Sequence, residues 1–158
     1  ILFNHESPLR PERFVTKKIV TAACRIANGS TEKLQLGDIS IKRDWGWAPE
    51  YVEAMWLMMQ QDIADDYVIA TGESNSLEMF VKQTFDYLEL DWTQHVAIDP
   101  TLKRPTEIDA NLGNPEKARI KLGWSPKYRM RDIVKFMVDA EQNEQLTRAP
   151  CLATDKST

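Results

Sequence analysis

The feature that most constrains this sequence is a set of apolar runs only three or four residues long, separated by longer stretches of helical periodicity. Ile1-Leu2-Phe3, Leu34-Gln35-Leu36, Tyr67-Val68-Ile69-Ala70 and Val96-Ala97-Ile98 read as short strands. Between them, apolar residues recur every three or four positions. Val15, Ile19, Ala22, Ala23 and Ile26 mark a first helix, which Asn28-Gly29 closes. Pro49 opens a second, with an apolar stripe of Val52, Met55, Trp56 and Met59. Ser76 caps a third, with Leu77, Phe80, Val81, Thr84, Phe85 and Leu88 along one side. A short helix runs from the Asn114-Pro115-Glu116 cap to Gly123, and Met130, Ile133, Val134, Met137 and Val138 mark a last one.

Strands and helices that alternate along a chain predict an α/β fold. The strands are few and short, so a sheet made of them alone has open edges. That fits one part of a larger sheet. With 158 residues the chain is long enough for one domain with a real core. Periodicity covers residues 1–145, and 146–158 reads as a flexible tail.

Charge and composition exclude several classes. A net charge of -4 gives no electrostatic case for a nucleic-acid or anionic-membrane partner. No apolar run approaches the ~20 residues of a membrane span. Cys24 and Cys151 are distant and lack CxxC spacing, so they suggest neither a disulfide framework nor a metal site. A reducing, cytoplasmic setting is the expectation.

Four clusters carry potential chemistry. Asn4-His5-Glu6-Ser7-Pro8-Leu9-Arg10 follows a strand, in a stretch read as a loop from Asn4 to Arg13. Ligands of open α/β sheets bind beyond strand ends, although a polar turn with His5 bonded to backbone also fits. Lys17-Lys18 opens the first helix, where a phosphate gains from the helix N-terminus; a solvated basic surface is the alternative. Lys42-Arg43-Asp44-Trp45-Gly46-Trp47 places two indoles beside an arginine, as a stacking wall or a packing corner. In Lys103-Arg104-Pro105-Thr106-Glu107, Arg104 suits a diphosphate and Glu107 a ribose diol, unless they form a surface ion pair.

Other chemistry is missing from the sequence. There is no GxGxxG loop, no Tyr-x-x-x-Lys pair, no HExxH and no serine-nucleophile elbow. The chain therefore cannot cradle a dinucleotide by itself in the usual way.

The ordered set of motifs resembles the C-terminal half of the GDP-mannose 4,6-dehydratase family, which are extended short-chain dehydrogenase/reductases. The likeness rests on Leu2-Phe3-Asn4-His5-Glu6-Ser7-Pro8, Phe14-Val15-Thr16-Lys17-Lys18-Ile19, Lys42-Arg43-Asp44-Trp45-Gly46 and Glu50-Tyr51-Val52-Glu53-Ala54-Met55-Trp56. It continues through Asp66-Tyr67-Val68-Ile69-Ala70-Thr71-Gly72-Glu73, Arg104-Pro105-Thr106-Glu107 and Lys121-Leu122-Gly123-Trp124. It implies the substrate-binding part of such an enzyme, with a partial Rossmann sheet. By resemblance, Asn4, Lys18, Arg43 and Arg104 contact the diphosphate and sugar of GDP-mannose or a related GDP-sugar. Val15 meets the guanine through its backbone, and Glu107 holds the ribose hydroxyls. His5 and Arg10 reach an NADP bound mainly by an N-terminal half not present here.

In the family, NADP oxidises the mannose C4 hydroxyl, water leaves across C5 and C6, and the hydride returns to C6. The acid, base and Tyr-Lys pair for this lie in the other half, so this chain is expected to have no turnover alone. One departure stands in the first loop. The family usually has two arginines and a glycine where this chain has Leu9-Arg10-Pro11, and proline fixes φ and removes a donor. Glu50 and Asn114 stand where aspartate is common and keep charge and capping respectively. Two functional expectations follow: a GDP-sugar-binding part whose partner is the N-terminal half, or a non-catalytic module that self-associates or docks a partner through exposed edges.

Overall fold

The computed structural model describes residues 1–103, 106 and 108–148. The elements in order are β1 (Asn4–Glu6), α1 (Val15–Ala27), β2 (Leu34–Leu36), β3 (Lys42–Arg43), β4 (Trp45–Trp47), α2 (Ala48–Met59) and β5 (Asn75–Ser76). They continue with α3 (Leu77–Tyr87), α4 (Trp92–His95), β6 (Val96–Ile98), α5 (Glu116–Leu122) and α6 (Met130–Arg148). The fold is α/β, as expected. Its strands form three small pairs: β1 with β4 and β2 with β6, both parallel, and β3 with β5, antiparallel. Among the described residues, no helix is long and apolar enough to cross a membrane.

The two expected strands at Ile1-Leu2-Phe3 and Tyr67-Val68-Ile69-Ala70 reduce to a single bridge between them, Leu2 to Ile69, with Phe3 N–H donating to the Ile69 carbonyl at 2.9 Å. The regular strand comes next, at Asn4–Glu6, where a loop was expected. Trp45–Trp47 is likewise a strand, in register with Asn4–Glu6. The reason is pairing: these two segments, far apart in sequence, satisfy each other's backbone groups, which composition alone does not reveal. The helix ends follow their chemistry. Ser76 Oγ accepts the Met79 N–H, Gly29 follows α1 at φ 94°, and Gly123 ends α5 in the left-handed region at φ 66°.

The larger core joins α1, α3 and α6 over β2 and β4, around Ile19, Phe80, Phe85, Ile133 and Met137. A second core lies under α2, with Tyr51, Ala54, Tyr67, Ile69, Leu122 and Trp124. The stripe Val52, Met55, Trp56 and Met59 faces outward from that core, with Met59 73% and Val52 61% exposed. The inner face is instead Tyr51 and Ala54, fitted against β1 and β4. Gly46 makes this possible, because a Cβ there would overlap the Tyr51 ring. Helix α6 continues to Arg148, slightly past the expected domain end at 145, and the remaining tail lies outside the described residues.

Candidate functional site

β1 is a three-residue strand, so its side chains alternate between its two faces. Asn4 and Glu6 face a cavity of about 550 Å³. His5 turns to the opposite face, where its ring lies 4.8 Å from that of Tyr51 and its Nδ1 is 2.8 Å from the Phe3 carbonyl oxygen. That alternation separates two groups of residues that the sequence places side by side.

The cavity brings together Asn4, Arg10, Val15, Lys18 and Arg43, five of the eight expected site residues. Arg104 and Glu107 lie outside the described residues. His5 does not line the cavity. Several lining residues carry no assigned site role from the sequence: Glu6, Arg13, Phe14, Thr16, Asp38 and Lys103. Asn4-His5-Glu6 is polar throughout, so no apolar-polar alternation marks Glu6 as facing the cavity.

Helix α1 supplies one wall. Its N-terminus has no side-chain cap, and Val15 and Thr16 of its first turn line the cavity. The first-turn N–H groups thus lack intrahelical acceptors beside open space, an arrangement suited to an anion or a carbonyl. Lys18 is exposed and donates to the Gln35 carbonyl at 2.6 Å, which holds its ammonium at the rim. Its neighbour Lys17 goes elsewhere. It is buried in an ion pair with Glu141 of α6 at 2.6 Å, so the lysine pair divides into one site residue and one packing residue.

The opposite wall is β3 and β4. Arg43 donates to the carbonyls of Lys42 and Ile108 at 2.8 and 2.6 Å. Trp45 is 2% exposed; it packs on Phe80 and lines the cavity. Trp47 packs on Phe136, so one indole is a wall and the other a packing corner.

Five cations and two carboxylates line the cavity, which gives it a positive balance. Each carboxylate is already engaged. Asp38 pairs with Lys103 at 2.9 Å and accepts from Ser40, and these bonds hold its pKa well below the usual carboxylate range. Glu6 is 1% exposed and accepts from Thr16 Oγ1 at 2.7 Å, with Arg10 Nε 3.0 Å away but poorly aligned. Burial outweighs these contacts and pushes the Glu6 pKa up. Arg10 also lies over the Phe14 ring at 3.8 Å, which draws its side chain toward the cavity. The arrangement has the chemistry of an anion site beside an apolar wall. Among the described residues, no group of three or more His, Cys, Asp or Glu side chains is placed to hold a metal ion.

Known proteins resemble this chain in sequence and in fold. Residues 1–137 match a family described as GDP-mannose 4,6 dehydratase. The chain is 52% identical over 141 residues to the Arabidopsis thaliana protein named GDP-mannose 4,6 dehydratase 1, covering 89% of this chain and 39% of that protein. It is 42% identical over 158 residues to the Homo sapiens GDP-mannose 4,6 dehydratase, covering 89% and 42%. The chain therefore spans about two fifths of the length of these relatives. Among solved structures, RMD from Pseudomonas aeruginosa complexed with NADPH superposes with a TM-score of 0.82 at 18% identity, covering 90% of this chain and 47% of that one. A dTDP-glucose 4,6-dehydratase from Bacillus anthracis in complex with NAD gives 0.77 at 20% identity, covering 91% and 44%. At such identities the structural likeness establishes the fold.

Proposed function

The chain belongs to the GDP-mannose 4,6-dehydratase family, and from that premise we propose that residues 1–145 form a sugar-nucleotide-binding unit for GDP-mannose or a related GDP-sugar. The observation that carries this is the cavity itself: an uncapped helix N-terminus, Lys18, Arg43 and Asn4 converge on one volume beside the Trp45 wall. Cations and free N–H groups suit a diphosphate; Asn4 offers a donor and an acceptor to a sugar hydroxyl. In the proposed binding mode Val15, which lines the cavity, offers its backbone to the base. Arg104 and Glu107 complete the proposed set for the phosphate and ribose.

The nicotinamide cofactor of the family fits this chain only in part. NADP supplies the hydride chemistry when bound. His5 is turned away from the sugar-nucleotide cavity with its Nδ1 engaged by Phe3, which leaves Nε2 as its group for a cofactor. Arg10 is drawn by Glu6 and Phe14 to the cavity side, so its proposed role moves toward the sugar-nucleotide. The sequence has no glycine-rich loop and no Tyr-x-x-x-Lys pair. On this reading the 158-residue chain binds the sugar-nucleotide in a cytoplasmic setting and does not turn it over.

Calorimetric titration of the pure chain with GDP-mannose, with light scattering on the same sample, tests the reading. Binding is expected, and Arg43→Ala should weaken it by about tenfold, in line with loss of one charged contact. No detectable binding to the folded chain sinks the proposal. A second reading draws on one observation, the outward apolar face of α2. It is a non-catalytic module that self-associates through that face, and it is supported if the chain forms dimers and has no nucleotide affinity.

A further inference from the structure

We propose that Asp44, which does not line the cavity, is the positioning residue that sets Arg43 for an anionic ligand. This inference rests on the sugar-nucleotide reading of the cavity. Asp44 is 0% exposed. A buried carboxylate persists only when its lone pairs are met. Here Oδ1 accepts the Thr71 N–H at 2.8 Å and the Thr71 hydroxyl at 2.7 Å. Oδ2 accepts the Gly72 N–H at 2.9 Å and the Gly113 N–H at 3.3 Å. A Cβ at Gly113 would overlap that of Ala70, so glycine is what lets this N–H come close. The Asp44 N–H in turn donates to Asn111 Oδ1 at 2.9 Å.

One side chain thereby ties three segments together: the β3–β4 junction, Thr71-Gly72, and Asn111 to Gly113. The Arg43 side chain depends on two of them. Its Nη1 donates to the Lys42 carbonyl on one segment and to the Ile108 carbonyl on the approach to the other. Those two stretches are also joined by backbone, with Lys42 N–H to Asp109 oxygen at 2.7 Å and Asn111 N–H to Lys42 oxygen at 3.1 Å. Asp44 locks the far end of this ladder. Arg43 and Trp45, its chain neighbours, both line the cavity, while Asp44 itself points into the protein. A guanidinium held before the ligand arrives loses less side-chain entropy on binding.

The test uses Asp44→Asn, which keeps the shape but sets an amide against donors that need an acceptor. Nitrogen-15 relaxation of the Arg43 Nε–Hε group is read in the ligand-free chain. GDP affinity is read by calorimetry for Asp44→Asn, Arg43→Ala and the double variant. Asp44→Asn should lower the order of the Arg43 group and weaken GDP binding by about tenfold. In the double variant it should add less than about twofold to Arg43→Ala, because the two act through one contact. Ile133→Val, which perturbs the core elsewhere, should leave both readouts unchanged. Unchanged Arg43 order overturns the proposal, as do multiplicative losses in the double variant. If Asp44→Asn fails to fold, Thr71→Val removes one donor and keeps the carboxylate. A smaller loss of Arg43 order is then expected, and no loss overturns the idea. Failure of the wild-type chain to bind GDP sinks the sugar-nucleotide reading, while the ligand-free relaxation still decides for or against Asp44.

Discussion

Helices α2 and α3 carry apolar stripes of similar spacing, yet only one stripe is covered. In α3, Leu77, Phe80, Val81 and Phe85 are all within the larger core. In α2, Val52, Trp56 and Met59 stand outside, and Tyr51 and Ala54 do the packing. The difference is one of composition around the helix. The sequence of α3 has one apolar side and a polar one with Glu78, Lys82 and Asp86. In α2, Ala-Pro-Glu-Tyr-Val-Glu-Ala-Met-Trp-Leu-Met-Met is apolar nearly all round, the pattern of a helix covered on two sides. Within these residues it is covered on one. Periodicity reveals that an apolar face exists; it does not say which face meets which layer.

The comparison can be strained at several points. Phe80→Ala on the buried side of α3 should destabilise the chain most, by about 3–5 kcal/mol, read as a shift in urea midpoint. A loss below ~1 kcal/mol would mean that the two helices are equally peripheral. A smaller effect is expected at Glu6, in the strand that α2 packs against. Its folded pKa is raised above the ordinary 4.5, so the folded state holds this proton more tightly than the unfolded one. Stability should therefore fall as pH rises from about 4.5 through the raised value, and Glu6→Gln should lack that component. Urea midpoints of both chains across this range settle it; parallel curves would show that burial of Glu6 is relieved in solution. The smallest effect belongs to the outer face of α2. Trp56→Ala should change the stability of the monomer by within about 0.5 kcal/mol. A large loss in monomeric samples would show that this face packs on something within the chain.

Much of the fold was legible in the sequence because its signals are local. The caps at Ser76 and Asn114, the left-handed stop at Gly123 and the stripe of α3 depend on residues a few positions apart, and each is present. Among the candidate site residues, the cations and Asn4 were legible as residue types in an ordered set of motifs. Glu6 and Asp38 were not, because their place in the cavity arises from strand alternation and from an ion pair to a lysine far along the chain. The separation of His5 from Asn4, and of Lys17 from Lys18, was also beyond reach of spacing alone.

The motifs resembling the GDP-mannose 4,6-dehydratase family were present in the sequence from the start; their order and spacing along the chain carry the assignment. What the tertiary structure decided is which side of each element those motifs use. β1 became a strand because Trp45–Trp47 pairs with it. That pairing sends Asn4 and Glu6 to one face and His5 to the other. Arg43 acquires its place through Asp44, whose four donors come from residues 27 to 69 positions away. Backbone pairing and buried-charge satisfaction are non-local, so they are settled only when distant segments meet.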